Sequence, residues 1–230
     1  MRAQLRIVSG ALRGRKVICN VQPNLRPTPD MVRAALFSIL GHAVPERPFF
    51  DVFAGTGVVG LEAISRGASR VTFVERDFRV AAEIERHLKD FGVADRAVIA
   101  RADTYRWGER WEAPAEPVNV FFSPPFADFE RRPAEFLGLV RLVQQKVAPG
   151  SVVVVQSERG AIEDEETVFA GWDLRRYGRN ELLIWVREED PSPPTPLPEG
   201  ARGEVDPSPP TPLPEGARGE SEDAADDAGP

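Results

Sequence analysis

Ser123-Pro124-Pro125-Phe126 is the stretch of this chain whose residue types lend themselves most directly to chemistry. Two consecutive prolines have no N–H for a sheet ladder, so the apolar run before them must stop there and leave its carbonyls unpaired. A planar amine offers two N–H donors. The Ser123 hydroxyl and the Pro124 carbonyl can accept them while the Phe126 ring stacks on the base that carries the amine. Adjacent prolines also mark plain loops, so this motif is not decisive alone.

A second candidate stretch, for the approach of a ligand, is Asp51-Val52-Phe53-Ala54-Gly55-Thr56-Gly57-Val58-Val59-Gly60. Glycines at 55 and 57 let the backbone turn sharply and approach a ligand. Read literally, Gly55 to Gly60 matches the GxGxxG dinucleotide fingerprint, with Glu75 at the end of the next apolar run, where a ribose-binding acid belongs. Any cofactor with an adenosine moiety asks for the same turn and acid. A nicotinamide oxidoreductase therefore stays open at this point, as does a purely structural turn. The third candidate is basic: residues 1–35 carry Arg2, Arg6, Arg13, Arg15, Lys16, Arg26 and Arg33 against Asp30 alone. Such an arm suits nucleic-acid phosphates, with Arg13, Arg15, Lys16 and Arg26 as candidate contacts, or else a solvated surface. No metal is expected, because His42 and His87 lack ligand-spaced partners and Cys19 is the single cysteine, which also excludes an internal disulfide. Cys19 reads as a buried thiol and His87 as a residue on a solvated helix face.

The elements that must position these groups alternate. FFDVF (49–53), RVTFVE (70–75), AVIA (97–100), VNVFF (118–122) and SVVVVQ (151–156) read as strands, and 57–66, 78–91 and 130–147 as helices. Near-continuous apolar strands between helices argue a parallel sheet covered on both faces, that is, an α/β fold. WDLRRYG (172–178) and NELLIWVR (180–187) read as a closing hairpin that adds an antiparallel edge. Before the first strand, MVRAALFSIL places Val32, Leu36, Ile39 and Leu40 on one helical face, with Thr28 as the cap, Pro29 at the first position and Asp30 complementing the dipole.

Composition divides the chain. Residues 188–230 hold 11 of the 22 prolines with 12 acidic and 2 basic side chains, a net −10 against −7 for the whole, which leaves residues 1–187 at about +3. This tail contains DPSPPTPLPEGARGE twice, at 190–204 and 206–220. A unit with five prolines and one leucine cannot bury enough apolar surface to offset ordering, so the tail is expected to be disordered and residues 1–187 to form the domain, with 1–25 as its basic N-terminal arm. No apolar run approaches the ~20 residues a membrane-spanning helix needs, and the N-terminus has no signal-like apolar stretch, so no membrane association is expected and the cytoplasm is the expected compartment. A monomer is expected.

Together the proline motif, the glycine turn and Glu75 resemble the class I S-adenosylmethionine-dependent methyltransferases that modify exocyclic amino groups, whose signature is [Asp/Asn/Ser]-Pro-Pro-[Tyr/Phe/Trp]. Adding IVSGALRGRKV (7–17), LRPTPDMVRAALFSIL (25–40), FFDVFAGTGVVGLEAISRGASRVTFVERD (49–77) and SPPF (123–126), residues 5–187 resemble the bacterial RsmD-type family that methylates guanine N2 in small-subunit (16S) ribosomal RNA. The resemblance implies a Rossmann-like fold with a seven-stranded, mostly parallel sheet and S-adenosylmethionine as cofactor. It implies that Ala54, Gly55, Thr56 and Gly57 line the methionine and ribose part, Glu75 binds the ribose hydroxyls, Asp103 the adenine amino group, and Thr28 lies near the methionine end. It implies ribosomal RNA or the small subunit as partner. Ser123 departs from the family's usual Asp or Asn: a hydroxyl lacks the carboxylate's charge for the positive nitrogen that develops during attack, so slower transfer or another base, such as adenine N6 in DNA or RNA, is an alternative. A non-catalytic RNA-binding assembly factor is another.

Overall fold

The computed structural model describes residues 2–20, 27–162 and 167–188. Arg26 and the tail with its repeat lie outside them, and so do the expectations attached to them.

A parallel sheet forms where the apolar runs were read. Among the described residues it has seven strands: β3 (Phe49–Val52), β4 (Val71–Val74), β5 (Ala97–Ala100), β6 (Asn119–Phe122), β7 (Val152–Glu158), β8 (Asp173–Tyr177) and β9 (Asn180–Val186), in the order β5-β4-β3-β6-β7-β9-β8. β3 pairs in parallel with both β4 and β6, placing Asp51 beside Phe73 on one side and Phe121 on the other. Only β9 runs against the rest, antiparallel to β7 and to β8, which is the closing hairpin. Alternation divides the core in two. Phe49, Phe73, Phe121 and Val154 face one layer, and Phe50, Val74, Phe122 and Val155 the other.

The first layer holds α1 (Asp30–Leu40), α2 (Val58–Ser65) and α3 (Phe78–Phe91). α3 shows why this sequence is a helix: Asp77 caps it by accepting the N–H groups of Arg79 and Val80, Val80, Ala81, Ile84 and Leu88 form its buried stripe, and Gly92 closes it in the left-handed region. α1 corrects two expectations. Its cap position is Pro29 with no side-chain bond, because the Thr28 hydroxyl donates instead to Gln156 Oε1 at 2.9 Å; its buried face is Val32, Arg33, Leu36, Phe37 and Leu40, with Ile39 38% exposed. Arg33 is 0% exposed and donates to the carbonyls of Thr28 and Arg6 and to Asp30.

The basic arm is a structured hairpin, β1 (Arg2–Arg6) with β2 (Lys16–Asn20), docked on the same layer. Val17 and Cys19 point inward while Lys16, Ile18 and Asn20 remain exposed. Buried Glu62 on α2 accepts the N–H groups of Val8 (2.8 Å) and Ser9 (3.0 Å), and Ser65 accepts that of Leu12 at 2.9 Å. His87 is not solvated: it is 4% exposed, and its Nε2 accepts the N–H of Ile18 at 3.2 Å, because β2 covers that side of α3.

The second layer contains α4 (Thr104–Arg110), which the sequence reading did not anticipate, then α5 (Phe126–Arg131) and α6 (Pro133–Lys146). The single helix expected over 130–147 is two, because Pro133 disfavours helical geometry in the residue before it and Arg132 sits at φ −136°.

Candidate active site

β3, β4, β5, β6 and β7 all end at one edge of the sheet, and the candidate groups follow those ends. This is the switch point, where β3 lies between strands reached by crossovers in opposite directions, the place at which open α/β sheets bind ligands. After β3 the chain turns through Phe53 and Ala54 into the glycine loop. Ala54 N–H donates to Val74 O at 2.9 Å, Gly55 N–H to Glu75 Oε2 at 2.8 Å, and Gly57 N–H to Ala54 O at 2.8 Å. Gly55 and Gly57 have φ of +52° and +71°, conformations L side chains rarely adopt. A Cβ on Gly57 would come within 2.8 Å of Ile84, and one on Gly60 within 2.2 Å of Phe73. Two of the three glycines therefore serve packing of the loop and α2 as much as approach to a ligand. Phe53 also has positive φ (+64°), a strained geometry for an aromatic residue, and its ring lies edge-on to Tyr105 at 5.7 Å.

Two acids hold this loop. Asp51, 1% exposed, accepts Gly60 N–H at 2.8 Å and so supports the first turn of α2 from inside the core rather than from an open cleft. Burial pushes its carboxyl up to about 7, with Glu75 adding to the rise and the Gly60 bond opposing it. Glu75 accepts Gly55 N–H with one oxygen and Asp77 N–H with the other, each at 2.8 Å, and burial raises its carboxyl above the ordinary range. A carboxylate has about four acceptor sites, so two remain for vicinal hydroxyls, as a ribose would present.

Asp103 ends the loop after β5. One carboxylate oxygen caps α4 through the N–H groups of Tyr105 and Arg106, and the other lies 3.8 Å from Arg132 Nη1. That second oxygen can accept from an exocyclic amine. Arg132 also covers the Tyr105 ring at 3.9 Å, and Tyr105 donates its hydroxyl to buried Asp128 at 2.7 Å. Phe53, Tyr105, Asp128 and Arg132 were missed in the sequence. Asp103 followed by polar Thr104 was the available signal, since it reads as a helix cap.

β6 ends at Phe122, as the two prolines require. Ser123 N–H donates to Val52 O at 3.2 Å, tying the proline loop to the end of β3, and Asp128 N–H takes the carbonyl of Pro125 at 2.8 Å. Pro125 is thus engaged, while the Ser123 hydroxyl and the Pro124 carbonyl have no partner among the described residues. Phe126 opens α5. Phe122 pairs with Val155, so Gln156 is the next residue of β7 beside Ser123, and its bonds to Thr28 and Asn180 bring Thr28 to the same end of the sheet.

The structure thus gathers Thr28, Asp51, Ala54 to Gly57, Glu75, Asp103 and Ser123 to Phe126 at or beneath one edge. Arg13, Arg15 and Lys16 lie apart, exposed on the hairpin, with Arg15 5.5 Å from the Phe91 ring of α3. Among the described residues no group of three potential metal ligands occurs, and no helix is long and apolar enough to cross a membrane.

Comparison with known proteins gives this arrangement a family. The model of the family described as "Conserved hypothetical protein 95" matches residues 5–186. The chain is 32% identical over 177 residues to ribosomal RNA small subunit methyltransferase D of Escherichia coli, covering 75% of this chain and 83% of that protein. A solved structure of a putative methyltransferase, yhhF, from E. coli superposes with a TM-score of 0.66 at 29% identity, over 81% of this chain and 99% of the other. The fold extends to an RNA methyltransferase of Salinibacter ruber solved with S-adenosyl-L-homocysteine, at a TM-score of 0.53 and 18% identity over 72% of this chain and 95% of that one. These likenesses leave no support for the nicotinamide reading of the glycine loop. The chain belongs to the family of ribosomal RNA small subunit methyltransferase D.

Proposed function

We propose that the protein transfers a methyl group from S-adenosylmethionine to the exocyclic N2 of a guanine in small-subunit ribosomal RNA. The observation that carries this reading is the pair of unengaged acceptors, Ser123 hydroxyl and Pro124 carbonyl, held at the end of β6 next to the glycine loop. The cofactor supplies an electrophilic methyl on a sulfonium. Glu75 and the Gly55–Gly57 turn hold its ribose, Asp103 its adenine amine, and Thr28, fixed by Gln156, stands at its methionine end. Asp51 acts on the loop from below.

Ser123 and Pro124 accept the two N–H groups of the target amine, which aims its lone pair outward, while Phe126 stacks on the ring. Orientation is the main catalytic contribution, because direct transfer needs alignment and no strong base: the methylated nitrogen is acidic and loses its proton to water. Arg13, Arg15 and Lys16 contact RNA phosphates, and an activity on ribosomal RNA puts the site of action in the cytoplasm. Incubating the protein with methyl-labelled S-adenosylmethionine and undermethylated small subunits should label the RNA. Label in DNA adenine instead would replace guanine N2 with adenine N6 as the target. Nicotinamide binding without adenosylhomocysteine binding would remove the methyltransferase reading altogether.

A further inference from the structure

Next to Asp103 a second concavity runs along the outer face of α4, with a volume of about 540 Å3. Asp103, Arg106, Trp107, Arg110 and Trp111 line it, together with Glu112. Spacings of three and four put 103, 106, 107 and 110 on one helical face. The other face is committed to packing: Gly108 meets Leu139 of α6, and Tyr105 bonds Asp128. On the open face the indoles of Trp107 and Trp111 stack at 5.3 Å and 29°, backed by Phe50 at 6.2 and 5.0 Å. Trp111 is buried and Trp107 is part-exposed, so Trp107 is the indole that reaches solvent in the groove, held in place by Trp111 and Phe50 behind it.

Arg106 and Arg110 are exposed on either side of Trp107 in sequence, and neither guanidinium has an ion-pair or hydrogen-bond partner among the described residues. The charge of Asp103 is already offset by two helix N–H groups and Arg132, so the lining carries two guanidiniums against Glu112, while Glu109, exposed on the same helix, is not part of the lining. A flat platform flanked by unpaired guanidiniums fits a ring joined to phosphates. We propose that this groove binds an unstacked nucleotide of the RNA substrate, next to the one whose base enters the cleft. The proposal rests on the RNA reading above and extends it. The groove and the candidate cleft share Asp103, and a target base can reach Ser123 only if it leaves its helix, which unstacks its neighbours as well. Stacking on an indole is tolerant of base identity, while the two arginines add an electrostatic term that salt weakens.

The test measures binding of the full chain to naked small-subunit RNA and, separately, to adenosylhomocysteine. The double variant Arg106→Ala with Arg110→Ala alters only exposed side chains. It should weaken RNA binding about 10-fold and reduce the slope of log affinity against log salt by about 1.4, about 0.7 for each lost phosphate contact, with adenosylhomocysteine affinity unchanged. Trp107→Phe should retain most RNA affinity and Trp107→Ala should lose it, each checked for folding by thermal melting. Unchanged RNA binding in the arginine variant overturns the proposal. So does loss of adenosylhomocysteine binding with RNA binding kept, which would make the groove part of the cofactor site. Loss on assembled subunits but not on naked RNA would assign it to a ribosomal protein. A wild type that binds neither RNA nor subunits removes the underlying reading along with the groove.

Discussion

In the glycine loop after β3 and the first turn of α2, Ala54, Gly55, Gly57 and Gly60 each donate an N–H to an acceptor 2.8 or 2.9 Å away, two of them carboxylates. In the Ser123–Phe126 loop after β6, one N–H is bonded at 3.2 Å and two acceptors have no partner among the described residues. The two loops lie on adjacent strands yet are held by different means: the first by hydrogen bonds from four backbone donors, the second by one bond at each end and the fixed φ of two prolines between them. A cradle for a cofactor can be complete before the cofactor arrives, because shape and a few spare acceptor sites suffice. A site that recognises an amine must keep acceptors unspent, so its rigidity has to come from covalent constraint.

The largest effect expected from this contrast is at Gly55. With φ at +52°, Gly55→Val forces a branched side chain into a disfavoured region of the turn proposed to hold the cofactor. Adenosylhomocysteine affinity should fall about 100-fold or more by calorimetry, whereas Ser123→Ala should leave it within about twofold. Comparable losses in both would erase the distinction between the loops. Next, Ser123→Ala should lower kcat about 10-fold, the worth of one hydrogen bond to the reacting amine, and Ser123→Asp should raise kcat above wild type by supplying the missing charge. An inert Ser123→Ala would move amine recognition elsewhere.

Strands were legible because their apolar runs are continuous and bounded by Gly, Pro and charge, and the glycine and proline motifs were legible because backbone constraint is written in residue type. α4 was not: TYRWGER has no apolar periodicity, and only the Asp103 cap hints at it. The β1–β2 hairpin hid behind its charges, since Val17 and Cys19 alternate with Lys16 and Asn20 and read as part of a basic arm. The Tyr105–Asp128–Arg132 cluster joins Tyr105 of α4 to Asp128 of α5 and to Arg132 at the α5–α6 junction, 23 and 27 residues away, and spacing carries no trace of that link.

A smaller effect is expected at the arm. Arg13→Ala with Lys16→Ala should weaken RNA binding several-fold and lower its salt slope, without altering cofactor binding, since both side chains are exposed on the hairpin. Loss of cofactor affinity would show that hairpin and glycine loop do not act separately. The smallest is a pH effect on stability. Asp51 is raised from 3.8 to about 7 in the folded chain, so its stabilising contribution is complete below about 4 and is lost as pH rises through about 7. Relative to Asp51→Asn, the wild type should lose a few degrees of Tm between pH 4 and 8, the size a change of one or two kcal/mol would produce in a domain of this length. Parallel melting profiles would mean that Asp51 is not held in a costly buried state beneath the loop.

The central claim is that the unengaged acceptors at the end of β6 direct transfer to a guanine amine. Nucleoside mass analysis of small-subunit RNA, taken from cells with and without this protein and after reaction in vitro, tests it most directly. N2-methylguanosine at a single nucleotide, absent without the protein and restored by it, is the predicted result. An unchanged N2-methylguanosine content, or a methyl group restored on adenine N6 instead, would contradict it.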